Sequence, residues 1–159
     1  MRVFELGSTA TIILNIGVWP VIHFLVGYAA ARRRRPSFHP DRGIYRLAKF
    51  EAGGSLYGRV GVKKWKTWLP DCGDFFKPGF PKKTLRSRKR DYLEAFYFET
   101  CRAEFTHWLT MAWAPIFLLW NEWWVELIMM GYALAVNLPC IIVQRFNRGR
   151  LHRLLFVGR

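Results

Sequence analysis

Residues 137–148 read Asn-Leu-Pro-Cys-Ile-Ile-Val-Gln-Arg-Phe-Asn-Arg, an apolar run that carries an asparagine within it and breaks straight into Gln144, Arg145, Asn147 and Arg148. A hydrophobic helix meets a polar boundary there. At about 100° of rotation per residue, Gln144 and Arg148 each fall within roughly 20° of Asn137, with Arg145 and Asn147 about 80° to either side. One polar stripe therefore emerges from a membrane-like helix. An amide inside hydrocarbon is costly unless it meets a partner or a water-filled cavity, so the stripe marks a candidate site for a polar headgroup. The alternative is that Asn137 only hydrogen-bonds a neighbouring helix.

Working outward, the 159-residue chain is long enough for one domain. It is 52% hydrophobic and 17% aromatic, yet carries a formal charge of +14. Those properties conflict in a soluble protein and agree in a small membrane protein whose charges face one compartment. Residues 7–31 contain no Asp, Glu, Lys or Arg and exceed the roughly 20 residues a helix needs to cross a bilayer. A secretory signal would have a basic start and a shorter apolar core, whereas here only Arg2 precedes the run and Arg32, Arg33, Arg34 and Arg35 follow it as a cytoplasmic stop.

A second apolar region, residues 105–143, is broken only around Asn121, Glu122 and Glu126. It suits a hairpin turning near Asn121, with Trp120, Trp123 and Trp124 at an interfacial belt. The expectation is an all-α integral membrane protein with three transmembrane helices. The first spans residues 7–31, residues 32–90 form a basic cytoplasmic interfacial segment, residues 91–120 an amphipathic helix running into the second crossing, residues 124–144 the third, and residues 145–159 a basic cytoplasmic tail. With the amino terminus outside, every Lys and Arg except Arg2 lies in the cytoplasm, which is the positive-inside pattern of a multi-pass bacterial cell-membrane protein. A shallow re-entrant hairpin is the alternative to the last two crossings.

In the interfacial segment, glycines argue against a regular helix through residues 53–61, and residues 62–69 suit a short one before Pro70. Lys63, Lys64 and Lys66 surround Trp65 and Trp68, a membrane-surface anchor whose residues could also hold an anionic lipid or a donor phosphate. The cluster Lys82, Lys83, Arg86, Arg88, Lys89 and Arg90 suits the anionic leaflet, and nucleic acid is not expected as a partner. Cys72, Cys101 and Cys140 imply no disulfide framework, and His23, His39, His107 and His152 lack zinc-ligand spacing. No metal is expected.

From Asp91 to His107 the chain has no Gly or Pro and reads as a helix with acids in its first turn. On its wheel Glu99 and Glu104 flank His107, and Glu104 and His107 stand at i, i+3, close enough for a carboxylate to orient the imidazole as a general base. The plain alternative is an interfacial ion pair. A metal-dependent lipid oxidase would need a second Glu-x-x-His, which only a symmetric dimer could supply.

Trp65-Lys66, residues 99–108 (Glu-Thr-Cys-Arg-Ala-Glu-Phe-Thr-His-Trp) and residues 137–151 resemble, in order and spacing, the small membrane acyltransferases typified by the glycosyl-diaponeurosporenoate acyltransferase of staphylococcal carotenoid synthesis. The likeness covers roughly residues 45–155, and its most specific block is Asn-x-Pro-x-Ile-x-x-Gln-Arg-Phe-Asn-Arg. The resemblance implies transfer of a fatty acyl group onto the sugar hydroxyl of a glycosylated carotenoid acid, or another lipid-linked acceptor, at the cytoplasmic leaflet. On this reading His107 is general base, Glu104 or Glu99 its orienter, and Asn137 or Gln144 an oxyanion donor. Arg145, Asn147, Arg148, Lys64, Trp65, Lys66 and Arg102 would hold the donor or headgroup. No cofactor is bound permanently; the acyl donor is acyl-CoA, acyl carrier protein or phospholipid. Membrane lipids are partners, and a homo-oligomer is open because three short helices scarcely enclose a site. The rival class is a non-enzymatic membrane protein that binds anionic lipid or acts as a scaffold.

Overall fold

The computed structural model describes residues 3–69 and 85–157, and all regular structure among them is helical. Cys72, Lys82 and Lys83 lie outside the described residues. Helix α1 is Ser8–Arg32. It ends where Arg33 turns extended and Pro36 opens a short 3-10 turn, Arg35–Ser37. Trp19, Ile22, Val26 and Ala30 recur every three or four residues and form its buried stripe, while Ile12, Ile13, Ile16, Val21, Phe24 and Leu25 face outward. An apolar helix with an apolar exposed face is what hydrocarbon solvates.

After the interfacial segment the chain forms α4, Arg90–Ala112, with Asp91 in its first turn against the positive end of the helix dipole. Pro115 lacks an amide hydrogen, and the chain continues as a 3-10 stretch, Ala114–Leu119, before reversing at residues 120–122. Helix α5, Trp123–His152, returns alongside α4 and closes with a π-helical turn, Arg153–Val157. It runs on unbroken through the boundary expected near residue 144, and Phe146, Asn147, Arg148, Leu151 and Leu155 beyond it are buried.

Two helices are long and apolar enough to cross a membrane: α1 and the stretch Trp123–Val157. Residues 91–120, where the second crossing is expected, fold as two pieces, α4 and the 3-10 stretch. Those pieces are tied to α1 at both ends. At one end the Val3 and Phe4 amides donate to Leu119 O, both at 2.9 Å. There too, Asn15 and Asn121 exchange side-chain hydrogen bonds of 3.0 and 2.8 Å, and Trp120 Nε1 donates to Asn15 Oδ1 at 2.9 Å. At the other, Arg102 Nη2 donates to Arg33 O at 3.0 Å and Arg35 pairs with Glu99 at 3.4 Å. Residues 15 and 33 are about 27 Å apart along a helix.

Among its described residues the interfacial segment folds into short turns: 3-10 at Gly43–Tyr45 and Lys49–Gly54, α2 at Ser55–Arg59, α3 at Val62–Trp65 and 3-10 at Lys66–Trp68. No regular helix runs through residues 53–61, but the short α2 lies within them and passes through Gly58. Gly54 (φ 90°) and Gly61 (φ 70°) take the left-handed conformations that punctuate the chain on either side, and five of the six residues between them turn helically. The segment lies directly on α5. A Cβ added to Gly149 would stand 2.2 Å from Gly53 O and 2.8 Å from Gly54 Cα, so only glycine permits this approach. Val62, Val143 and Phe146 form the small core beneath, with Tyr57, Trp65, Leu69 and Ile142 packed against it.

Candidate functional site

The imidazole of His107 on α4 is bonded across to α5, with Nδ1 2.8 Å from Asn137 Oδ1. The amide nitrogen of Asn137 donates to Ala133 O at 2.9 Å. A backbone carbonyl can only accept, so Asn137 presents its oxygen to His107, and Nδ1 must carry the proton. The neutral ring then holds its lone pair on Nε2. Asn137 is 1% exposed and its carboxamide is held at both ends. Its oxygen thus makes the contact to the imidazole that was expected of Glu104 or Glu99, and one N–H of its amide is spent on Ala133 O.

The carboxylates are engaged by arginines, Glu104 by two from α5 and Glu99 by Arg102 of its own helix. Glu104, fully buried, accepts from Arg145 Nη1 at 2.7 Å, from Trp108 Nε1 at 3.2 Å and from Arg148 Nη2. Glu99 pairs with Arg102 Nη1 at 2.9 Å beside Arg35. Arg102, expected at the substrate, is thus committed to the junction with α1, its guanidinium over the Phe38 ring.

Arg145 and Arg148 are likewise not open phosphate clamps. Arg145 Nε and Nη2 each donate to Glu51 at 2.7 Å, and its remaining donors go to Glu104, to Ile44 O at 2.9 Å and to Arg46 O at 3.2 Å. All five of its N–H groups are spent. Arg148, 1% exposed, also donates to Cys101 Sγ at 3.2 Å. Glu51 is fully buried and accepts further from Tyr57 OH and the Ala48 amide. Burial works to raise its pKa, but the hydrogen bonds from Arg145, Tyr57 and Ala48 prevail and hold it at about 2. Burial and the same carboxylate push the Tyr57 phenol up to about 12.

Of the remaining expected residues, Gln144 and Asn147 are buried on α5, Lys64 is exposed on α3, and Trp65 is half-buried with Nε1 3.4 Å from Val60 O. Lys66 Nζ lies 5.8 Å from the centre of the Phe146 ring and Arg150 Cζ 5.6 Å from it, so two cations meet on one aromatic. Burial, then Arg150 and Lys63, depress the Lys66 ammonium. Among the described residues no group of three or more His, Cys, Asp or Glu stands together as a metal site. Sequence reasoning passed over Glu51 and Arg150. Glu51 left a signal, being the single acid between Arg42 and Pro70 in a strongly basic stretch, where a lone carboxylate calls for a buried cationic partner.

Residues 41–156, which hold the whole arrangement from Glu51 to Arg150, match the family model described as glycosyl-4,4'-diaponeurosporenoate acyltransferase. The chain belongs to that family. A protein of that name from Staphylococcus haemolyticus is 27% identical over 151 residues, covering 94% of this chain and 85% of its own. Its counterpart in Staphylococcus aureus strain N315 is 30% identical over 138 residues, covering 86% of this chain and 83% of its own. The protein is accordingly an acyltransferase. No solved structure matches it.

Proposed function

We propose that the protein moves a fatty acyl group onto a sugar hydroxyl of a glycosylated carotenoid acid or a similar glycolipid at the cytoplasmic leaflet. The observation that carries this reading is the His107–Asn137 hydrogen bond, which leaves the basic lone pair on Nε2. In the reaction, the sugar hydroxyl attacks the acyl carbonyl of the donor while Nε2 takes its proton. The tetrahedral intermediate collapses by breaking the bond to the donor's leaving group, which recovers that proton from the imidazolium. Asn137 stabilises the charged ring through its oxygen and holds it in place. With Arg145 and Arg148 committed to carboxylates, the charge for a donor phosphate falls to Lys66 and Arg150 over Phe146.

The test is transfer of a radiolabelled acyl chain, supplied in turn as acyl-CoA, acyl carrier protein thioester and phospholipid, by purified protein in lipid vesicles containing a glycosyl carotenoid acid. An ester of the sugar is expected with one donor. No ester from any of the three overturns the reading.

We further propose three crossings, with α4 and the 3-10 stretch as the second, the amino terminus outside and the interfacial segment in the cytoplasm. The ties to α1 at residues 15 and 33 support this, since they give the hairpin the depth of α1, as does the basic bias of residues 32–102. A membrane-impermeant thiol reagent added to intact cells should label Ser8→Cys and leave Ser55→Cys at the parent's background. The reverse pattern would overturn the orientation.

A further inference from the structure

Two polar atoms of α5 are buried without a hydrogen-bond partner one helical turn apart: Gln144 Oε1 and Arg148 Nε. Gln144 is 8% exposed and Arg148 1%. One atom accepts and the other donates, and both belong to the stripe that also carries Asn137. Leaving either group unpaired in a low-dielectric interior is unfavourable, and a fold that retains both is missing something that accepts and donates at once. A hydroxyl does that. A phosphate or carboxylate does not, because it brings only acceptors and would be repelled by Gln144 Oε1.

Spacing ties this pair to the reacting centre. Gln144 is seven residues from Asn137, about 10 Å along the axis, and both side chains lean toward the amino terminus alike, so their carboxamides keep that separation. A pyranose ring about 5 Å across with a hydrogen bond of about 2.8 Å at each end covers it. We propose that Gln144 and Arg148 are the glycosyl-binding end of the site. One ring hydroxyl donates to Gln144 Oε1 and accepts from Arg148 Nε, which presents a second hydroxyl to His107 Nε2. Gln144 thereby becomes a specificity-determining acceptor, where the sequence had suggested an oxyanion donor. The inference rests on the acyl-transfer reading for the second hydroxyl only; sugar binding is measurable without turnover.

Binding of octyl glucoside and of octanol to the full chain in lipid nanodiscs, followed by tryptophan fluorescence, tests it. The parent should prefer the glucoside. Gln144→Leu should lose about tenfold in glucoside affinity, the worth of one hydrogen bond, with octanol binding unchanged. Gln144→Glu, which keeps the acceptor, should retain most of the preference. If Gln144→Leu does not fold, a series of monodeoxy octyl glucosides on the parent serves, and removal of one particular hydroxyl should cost about tenfold. Equal affinity of Gln144→Leu and parent, or indifference to every deoxy position, overturns the proposal and assigns the two atoms to a trapped water. Glucoside preference in a protein that transfers no acyl chain would sustain this site while removing the acyl-transfer reading.

Discussion

His107→Ala is expected to lower acyl transfer by about two to four orders of magnitude, the usual worth of a positioned general base. The side chain is only half-buried, and the loss of its hydrogen bond to Asn137 costs about 1 kcal/mol. A thermal melt close to the parent's should therefore accompany the lost activity. Asn137→Ala acts through the ring and not on the substrate, so its signature differs. The imidazole loses the acceptor that fixes its tautomer and holds its ring, so kcat should fall while the acceptor KM stays near the parent's. A protein with altered packing alone would lose acceptor affinity as well. Transfer by His107→Ala within threefold of the parent would take the imidazole out of the mechanism.

How far the sequence disclosed this arrangement depends on the range of each interaction. The helices were legible because hydropathy acts locally, as does the absence of Gly and Pro from α4: α1 follows from an uncharged run, and the reversal near Asn121 from a short polar break between apolar arms. The α5 stripe was legible because one helix's periodicity places Asn137, Gln144 and Arg148 on one face, and all three are buried. Partner choice was not. Glu104 stands three residues from His107, and spacing alone pairs them; what captures the carboxylate is Arg145 and Arg148, more than 40 residues away and brought there by the antiparallel return of α5. Glu51 was out of reach for the same reason, since its bond to Arg145 links residues 94 apart through a segment of turns with no periodicity to read. The α2 turn escaped because glycine composition says that a backbone is permissive, whereas only the positive φ values of Gly54 and Gly61 say where the permission is used.

Glu104→Ala should be the most damaging single change to the fold, costing about 3–5 kcal/mol, because it leaves Arg148 buried and Arg145 short of one of its two carboxylates. The carboxylate joins α4 to α5, and through Arg145 and Glu51 it reaches the interfacial segment as well. Its loss should release that segment, read as faster proteolysis at residues 43–69, along with a lower melting temperature. Glu104→Gln keeps the shape and some of the hydrogen bonds but removes the charge, so an intermediate loss is expected. Acid should reproduce the effect from the other end of the network. The folded pKa of Glu51, about 2, lies below its ordinary 4.5, so its contribution is complete above pH 4.5 and disappears as the pH falls from there toward 2. Glu51→Gln should flatten that part of the stability curve. If Glu104→Ala instead melts with the parent and its interfacial segment resists protease equally well, the ladder from Glu51 to Arg148 is not what fastens the segment to α5, and the close contact of Gly149 with Gly53 and Gly54, backed by the core around Val62 and Phe146, must do so without it.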